Sequence, residues 1–414
     1  MKKKKHILLI SQYFYPENFR VNDMALEWIK RGYKVTVLTG IPNYPMGKFY
    51  EGYDRKHRIR ENWNGVNIIR IPLIARGNSS NKLINALGMA ANYFSFVLSG
   101  KKWVKSKEAS ELKADIVFTF EVSPMTQALI GTWYGKRYNV PTFLYVQDLW
   151  PENVETVTGI HNKLIIGPID RMVDKIYRET NTIFTTSPSF VESIVNRKNP
   201  VERSRVHYWP QYAEEFYKPL EPQDVIGIDR NDGYFKMAFT GNIGTAQGLD
   251  ILPKTAKLLE NEKVKFVIVG DGRYLSEFKR QIKELAVENK FTMIPRVPAE
   301  EVPRILSVCD AGFISFSKNE LWEKTIPAKL QSYMACGKAI IASASGETRR
   351  LLEEAKCGIC ADIGDPQALA NCIRDLIKED ISRLSNNARE YCLEFFERKK
   401  LMDEMDKYIG MSVK

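Results

Sequence analysis

The chain has 414 residues, 44% of them hydrophobic and 27% charged, which suits two domains with separate cores and excludes a low-complexity or fibrous protein. The 61 Lys and Arg against 50 Asp and Glu leave a net charge of +11 and a pI near 9.1. That balance favours anionic partners (nucleic acid, an anionic membrane, phosphorylated ligands) or reflects lysines on solvated helix faces. All six cysteines lie in the second half, which excludes a secreted disulfide framework.

MKKKKH is basic, but the apolar run behind it is only about five residues, so it reads as a strand and not as a secretory leader. That strand, HILLI, runs into the loop SQYFYPENFR. Val21, Met24, Ala25, Trp28 and Ile29 then recur at helical spacing, Gly32 closes the helix, and YKVTVLTG reads as a second strand. Residues 11–53 therefore contain the loop and helix of a βαβ unit, and the loop lies at a strand's carboxyl end, where open parallel sheets bind ligands.

Residues 83–98, LINALGMAANYFSFVL, are followed by Lys101, Lys102, Lys105 and Lys107. The run is short and polar for a transmembrane helix, which needs about 20 mostly apolar residues. It fits an interfacial helix, with Leu83, Phe94 and Phe96 toward lipid, or a core helix of a βα unit.

Strand-like runs at 7–10, 35–38, 67–71, 116–120, 142–146 and 182–186 alternate with helical patterns such as 125–137 and 170–179. This predicts a parallel sheet wound with helices. The polar, proline-bearing stretch 209–236 reads as an interdomain connection. Strand signals resume at 237–241, 265–270, 291–295, 311–316 and 338–343. Residues 384–409 read as one long amphipathic helix. The fold class is α/β, with two doubly wound domains facing a cleft. Domain limits fall at 1–212, 213–383 and a terminal helical piece, 384–414, expected to pack back on the first domain.

Several motifs carry chemistry. FTGNIGTAQGLDIL runs from strand through glycine loop to helix: Gly241 and Gly244 admit close backbone approach, and Asn242, Thr245 and Gln247 add neutral polar groups. IVGDGRYLSEF repeats the pattern, and the loop of MIPRVPAEEVPRIL, with Arg296, suits a planar base. The densest constellation is 315–341, with Lys318, Glu320, Glu323, Lys324 and Lys329, where Pro327 starts a helix that places Lys329 and Ser332 on one face. Lysines and carboxylates at a helix N-terminus suit a diphosphate together with hydroxyls. In the first half, TFLYVQDLWPENVE sets Gln147, Asp148 and Glu152 directly after a strand, on the same sheet edge as Glu17 and Arg20. Cys357 and Cys360 form a lone CxxC with no second pair, a weak signal for zinc or redox chemistry.

Taken together, YFYPENFR (13–20), TGIPNYPMGKFYEGY (39–53), QDLWPE (147–152), GNIGTAQGLD (241–250), VGDG (269–272) and TIPAKLQSYMACGK (325–338) resemble the retaining glycosyltransferases of the large bacterial family 4, with GT-B architecture. The likeness spans nearly the whole chain and is nearest to the L-fucosamine transferase branch of surface-polysaccharide assembly. It implies a hexosyltransferase that moves a sugar such as N-acetyl-L-fucosamine from a UDP-sugar to a polyprenyl-diphosphate saccharide in O-antigen or capsule assembly, with no cofactor and no metal. Asp148, Lys329 and Glu323 would be catalytic. Gly241, Asn242, Gly244, Gln247, Arg296, Lys318, Lys324 and Ser332 would bind the donor, and Glu17, Asn18, Arg20, Asn43 and Tyr44 the acceptor.

Two departures stand out. Where the family carries paired glutamates this sequence has Lys324 and Ser332, and where many members carry an Arg and a Lys it has Asn242 and Gln247. Lys329, Lys318 or Lys324 would then supply the positive charge. The resemblance also implies a cytoplasmic protein held on the inner face of the cell membrane through 83–98 and its lysines, with no nucleic acid partner. A sugar-nucleotide epimerase of the same architecture, or a non-catalytic nucleotide-sugar-binding protein, are the alternatives.

Overall fold

The structure, a computed structural model, describes residues 4–77, 79 and 82–413, with the backbone alone for 82 and 83. The chain separates into two compact units. The first comprises Met1–Thr186, Phe190–Trp209 and Glu404–Lys414, and the second Ser187–Ser189 and Pro210–Asp403.

The first unit holds eight strands: β1 (His6–Ile10), β2 (Lys34–Gly40), β3 (Arg60–Trp63), β4 (Val66–Ile71), β5 (Ile116–Glu121), β6 (Thr142–Val146), β7 (Thr182–Thr185) and β8 (Val206–Tyr208). Their order is β3-β4-β2-β1-β5-β6-β7-β8, and every pairing is parallel except β3 with β4. β1 and β5 are buried along their whole length, as strands covered by helices on both faces must be. β3 is absent from the sequence reading. Its hairpin turns on Asn64 and Gly65, both at positive φ (49° and 89°), and Asn-Gly is a strong two-residue turn signal.

The second unit holds β9 (Phe235–Asn242), β10 (Val264–Asp271), β11 (Phe291–Ile294), β12 (Ala311–Ser315), β13 (Ala339–Ser343) and β14 (Gly358–Ala361), all parallel in the order β11-β10-β9-β12-β13-β14. Apolar clusters lie on both faces of this sheet, one including Leu330, Tyr333 and Ile340, the other Phe239, Phe266 and Leu369. In each sheet the strand order reverses at one place, between β1 and β5 and between β9 and β12. The carboxyl ends of strands at such reversals are where α/β sheets bind ligands.

Three expectations about organisation need correction. The stretch 209–236 is not a loose connection: Ala213 and Ile228 are buried in the core of the second unit. The terminal piece is not one helix. It is two, Ile381–Phe395 and Arg398–Ser412, broken at Phe396 and Glu397. The first of them packs in the second unit, where Ala388 and Cys392 join the core. Only Glu404–Lys414 groups with the first unit, where Asp406 receives Arg31 Nη1 at 2.8 Å and the Tyr33 hydroxyl at 2.9 Å.

The helix Lys82–Val104, read as interfacial or core over 83–98, has two distinct apolar faces. Phe96, Val97, Trp103 and Val104 are buried in the first unit. Ile84, Leu87, Phe94 and Leu98 are exposed and succeed one another at steps of three, seven and four residues, giving one outward stripe that runs on to Lys101 and Lys102. Phe96, expected to face lipid, is therefore core, and the side chain of Leu83 lies outside the described residues. Among the described residues no helix is long and apolar enough to cross a membrane.

Candidate active site on two sheet edges

In the first unit the loops after β1, β2, β5 and β6 form the edge, and each contains a cis X-Pro bond: Tyr15-Pro16, Tyr44-Pro45, Ser123-Pro124 and Trp150-Pro151. Glu17 is only 1% exposed. Its carboxylate accepts from the backbone N–H groups of Asn43 (2.8 Å), Tyr44 (2.7 Å) and Phe14 (3.3 Å). It thus clamps the first loop to the second, and burial pushes its pKa up to about 7 against the opposing pull of those N–H groups. Asn43 is fully buried, and its Oδ1 accepts from Arg76 N and Asn92 Nδ2. Both residues, expected to touch an acceptor, are interior braces of the loops instead. Asn18 is exposed, Arg20 is half-buried at the start of the helix Arg20–Lys30, and Tyr44 is half-buried in an aromatic cluster with Tyr13 and Phe19.

Asp148 stands at the end of β6. Its Oδ2 accepts from Ser123 N at 2.9 Å, and Ser123 Oγ in turn accepts from Trp150 Nε1 (3.0 Å) and Asn153 Nδ2 (2.7 Å). Beside it is Glu121, the last residue of β5, which the sequence reading passed over. Glu121 is fully buried, with Oε2 facing the backbone N–H groups of Gln147 and Asp148 and Oε1 without a partner among the described residues. Burial raises the pKa of both carboxyls, and the Asp148 charge drives Glu121 further up. The pair is thus a fully buried Glu121 behind a more accessible Asp148. The signal was a carboxylate closing the otherwise apolar run IVFTFE.

Next to Asp148 a cavity of about 550 Å³ opens in the same unit. Tyr13, Phe19, Tyr44, Tyr93, Phe94 and Trp150 line it, with aliphatic side chains from the helices Lys82–Val104 and Lys163–Glu179. Arg76 reaches it because Gly88 lets the two backbones meet: a Cβ at Gly88 would lie 2.3 Å from the Arg76 carbonyl oxygen.

In the second unit β9 and β10 end side by side, with Gly241 opposite Gly270 and Asn242 opposite Asp271. Gly270 has φ +144°, and a Cβ there would sit 1.9 Å from the Gly241 carbonyl oxygen, so only glycine fits. The glycine loop then makes a single turn at Thr245–Gln247, fixed by Ser317 N donating to the Ala246 carbonyl at 3.0 Å. Lys329, in the first turn of the helix Ala328–Ala335, extends over this loop. Its Nζ lies 2.8 Å from Gln247 Oε1, 3.7 Å from the Phe239 ring centroid and 3.9 Å from where a Gly241 Cβ would be. No carboxylate faces it among the described residues, and burial alone lowers its pKa to about 7. Two features of the sequence, the glycine loop and the lysine helix, thus meet at one cation-bearing strand end.

The remaining candidates are less engaged. Ser332 is buried, and its hydroxyl donates to the Ala328 carbonyl of its own helix, so it is turned inward. Glu323, Lys318 and Arg296 are exposed, and Lys324 is half-buried. Asn242 is exposed at the loop tip, and Gly244 is half-buried. The cysteines are free thiols; burial lifts Cys357 to about 12 and Cys360 to about 11, which makes them poor nucleophiles. No group of three metal-ligating side chains occurs among the described residues.

Comparison with known proteins completes the site. Residues 18–211 match the model of the glycosyl transferase 4-like domain, and residues 224–392 that of glycosyl transferases group 1. WbjE of Pseudomonas aeruginosa, named a probable glycosyltransferase, is 27% identical over 322 residues, covering 75% of this chain and 77% of its own. WcaI of Escherichia coli K12, a glycosyl transferase assigned by name to colanic acid biosynthesis, is 23% identical over 381 residues, covering 88% and 89%. Among solved structures, Anabaena HepE in complex with UDP and glucose superposes with a TM-score of 0.72 at 16% identity, over 98% of this chain and all of that one. WaaG, a glycosyltransferase of lipopolysaccharide biosynthesis, does so at 0.66 and 14%, over 98% and 99%. With one family model on each unit and the fold shared throughout, the chain belongs to the glycosyltransferases of GT-B fold that pair a 4-like first domain with a group 1 second domain.

Proposed function

We propose that the protein transfers a sugar from a UDP-sugar to a polyprenyl-diphosphate-linked saccharide, with retention at the anomeric carbon and without a metal ion, in surface-polysaccharide assembly. The observation that carries this is Lys329: a desolvated ammonium with no carboxylate partner among the described residues, over the glycine loop that closes β9. A cation so placed suits the diphosphate of a nucleotide donor. As the glycosidic bond breaks, negative charge develops on the leaving diphosphate, and Lys329, with backbone N–H groups at the start of its helix, stabilises it. Lys329 thereby does the charge-stabilising work that a divalent ion does in other transferases. On the first unit Asp148 orients the reacting hydroxyl, held by Ser123 N and backed by the buried Glu121, whose pKa burial raises.

The UDP-bound HepE structure, the UDP-2-fluoroglucose complex of an E. coli trehalose-6-phosphate protein and the name of WcaI support the donor and the pathway class. The donor sugar is proposed to be an N-acetylated amino sugar such as N-acetyl-L-fucosamine. The outward stripe Ile84, Leu87, Phe94 and Leu98, ending in Lys101 and Lys102, supports a peripheral seat on the inner face of the membrane, apolar side chains in the interface and ammonium groups at anionic headgroups.

The test is incubation of purified protein with UDP-sugars and a polyprenyl-diphosphate monosaccharide in EDTA, with products read by mass. A lipid disaccharide and UDP are the expected result. Conversion of the donor without an acceptor would indicate an epimerase, and binding without product a non-catalytic protein. Product formed only on addition of a divalent ion would overturn the metal-free mechanism.

A further inference from the structure

The cavity beside Asp148 has a composition that the transfer chemistry does not require. Its volume of about 550 Å³ is ample for a ligand. Its walls are chiefly aromatic and aliphatic, and two of its polar side chains are engaged elsewhere: Asn153 donates to Ser123 Oγ at 2.7 Å, and the Thr158 hydroxyl donates to the Val154 carbonyl at 2.6 Å. A free sugar or a nucleobase would meet few hydrogen-bond partners there and would lose its hydration for little return. Three polar groups stand apart, the first being the buried Tyr13 hydroxyl. The Thr126 hydroxyl is buried with no partner among the described residues. The Arg76 guanidinium contacts Met89 Sδ at 3.0 Å and lies 5.8 Å from the Tyr44 ring centroid, but no carboxylate faces it among the described residues.

The cavity also continues onto apolar surface. Phe94 and Val157 both line it and are both 62% exposed. On the two helices that contribute to its walls, Ile84 and Leu87 of Lys82–Val104 and Leu164 and Ile165 of Lys163–Glu179 are also exposed. Ser123 lines the inner part, and its N–H is the group that holds Asp148.

An apolar slot, a guanidinium that faces no acid among the described residues and the Asp148 carboxylate thus lie together in one unit. We propose that the cavity seats the apolar stem of the acceptor, the first units of an isoprenoid chain, with the diphosphate against Arg76 and the sugar directed toward Asp148. This rests on the transferase reading and adds the place and the recognition chemistry of the acceptor. A diphosphate on a guanidinium is the charge-assisted pair that Arg geometry favours, and the chain replaces water against aromatic and aliphatic walls.

The test uses the full chain and farnesyl diphosphate, a water-soluble isoprenoid diphosphate, titrated by calorimetry beside inorganic diphosphate. Farnesyl diphosphate is expected to bind at least tenfold more tightly than inorganic diphosphate. Ala90→Trp, which fills the cavity from the helix Lys82–Val104, is expected to abolish that difference while UDP binding, measured on the same sample, is unchanged. A diazirine-bearing farnesyl diphosphate is expected to label peptides containing Tyr93 or Met172 in the unmodified protein, which keeps the test valid if the variant misfolds. Equal affinity for the two diphosphates, or labelling confined to other peptides, would overturn the proposal. Equally tight, competing binding of dihexanoylphosphatidylglycerol would also overturn it, by assigning the cavity to a membrane lipid. Loss of UDP binding in the unmodified protein would count against the transferase reading instead, so the two failures are separable.

Discussion

The carboxyl edges of the two sheets are alike in backbone and opposite in charge. In the first unit the strand order reverses between β1 and β5, and the edge carries Glu17, Glu121 and Asp148, all desolvated and all shifted upward. In the second it reverses between β9 and β12, and the edge carries Lys329, desolvated and shifted downward to about 7. The same physical cause, loss of water around a charged group, favours the neutral form in both. A nearby ligand of opposite or hydrogen-bonding character then restores the charge. The topology supplies a dry place at a strand end, and the loop residues decide whether that place awaits an anion or a hydroxyl.

The sharpest way to break this comparison is to remove the cation. Lys329→Ala is expected to lower the turnover of sugar transfer by about 10²- to 10³-fold, the range for deleting one group that stabilises developing charge, with thermal unfolding little changed. Turnover within twofold of the parent would take Lys329 out of the site. The next test separates the two faces of the helix Lys82–Val104. Phe96→Ala, in the core, is expected to cost about 3–5 kcal/mol of stability by denaturant unfolding and to leave liposome sedimentation of the folded protein unaltered. Phe94→Ser with Leu98→Ser, on the exposed stripe, is expected to release the protein from anionic liposomes at little cost in stability. Reversed results would return the outward stripe to an internal role.

The smallest expected effect is on pH. The free Lys329 amine titrates near pH 7, below its unfolded value of 10.5, so the empty site is increasingly neutral above pH 7. A bound diphosphate draws the proton back. UDP binding should therefore take up a proton, and affinity should fall by up to about tenfold per pH unit as pH rises above 7. Calorimetry in buffers of different ionisation enthalpy reads both quantities. Affinity that is flat from pH 7 to 9 would show that the lysine is charged throughout or does not touch the anion.

Much of the second edge was legible from sequence. Glycines at 241 and 270 after apolar runs, and a lysine one position into a proline-started helix, are local signals, and the structure puts them at one strand end. The contact of Lys329 with Gln247 was not legible, since 82 positions separate them and only the β9–β12 neighbourhood brings them together. The orientation of Ser332 was not legible, because i, i+3 spacing places residues near one another without saying which side faces the core. Its hydroxyl closes on its own helix. The burial of Glu17 and Asn43 was not legible for a similar reason: polar residues in a loop suggest ligand contact, yet a compact loop also needs buried acceptors for its own backbone N–H groups. Likewise Phe94 and Phe96 are two residues apart and so lie on different faces of the helix, a distinction the apolar content of the run does not make.

The sequence by itself determined the alternation of strand and helix, the two parallel sheets and the family, because these rest on periodicity and on residues adjacent in the chain. Tertiary structure alone decided which polar groups are dry, which carboxylates share a site, that Arg76 meets no acid among the described residues, and that a cavity lies beside Asp148. Burial and charge pairing are sums over neighbours from distant parts of the chain, and no local pattern encodes them.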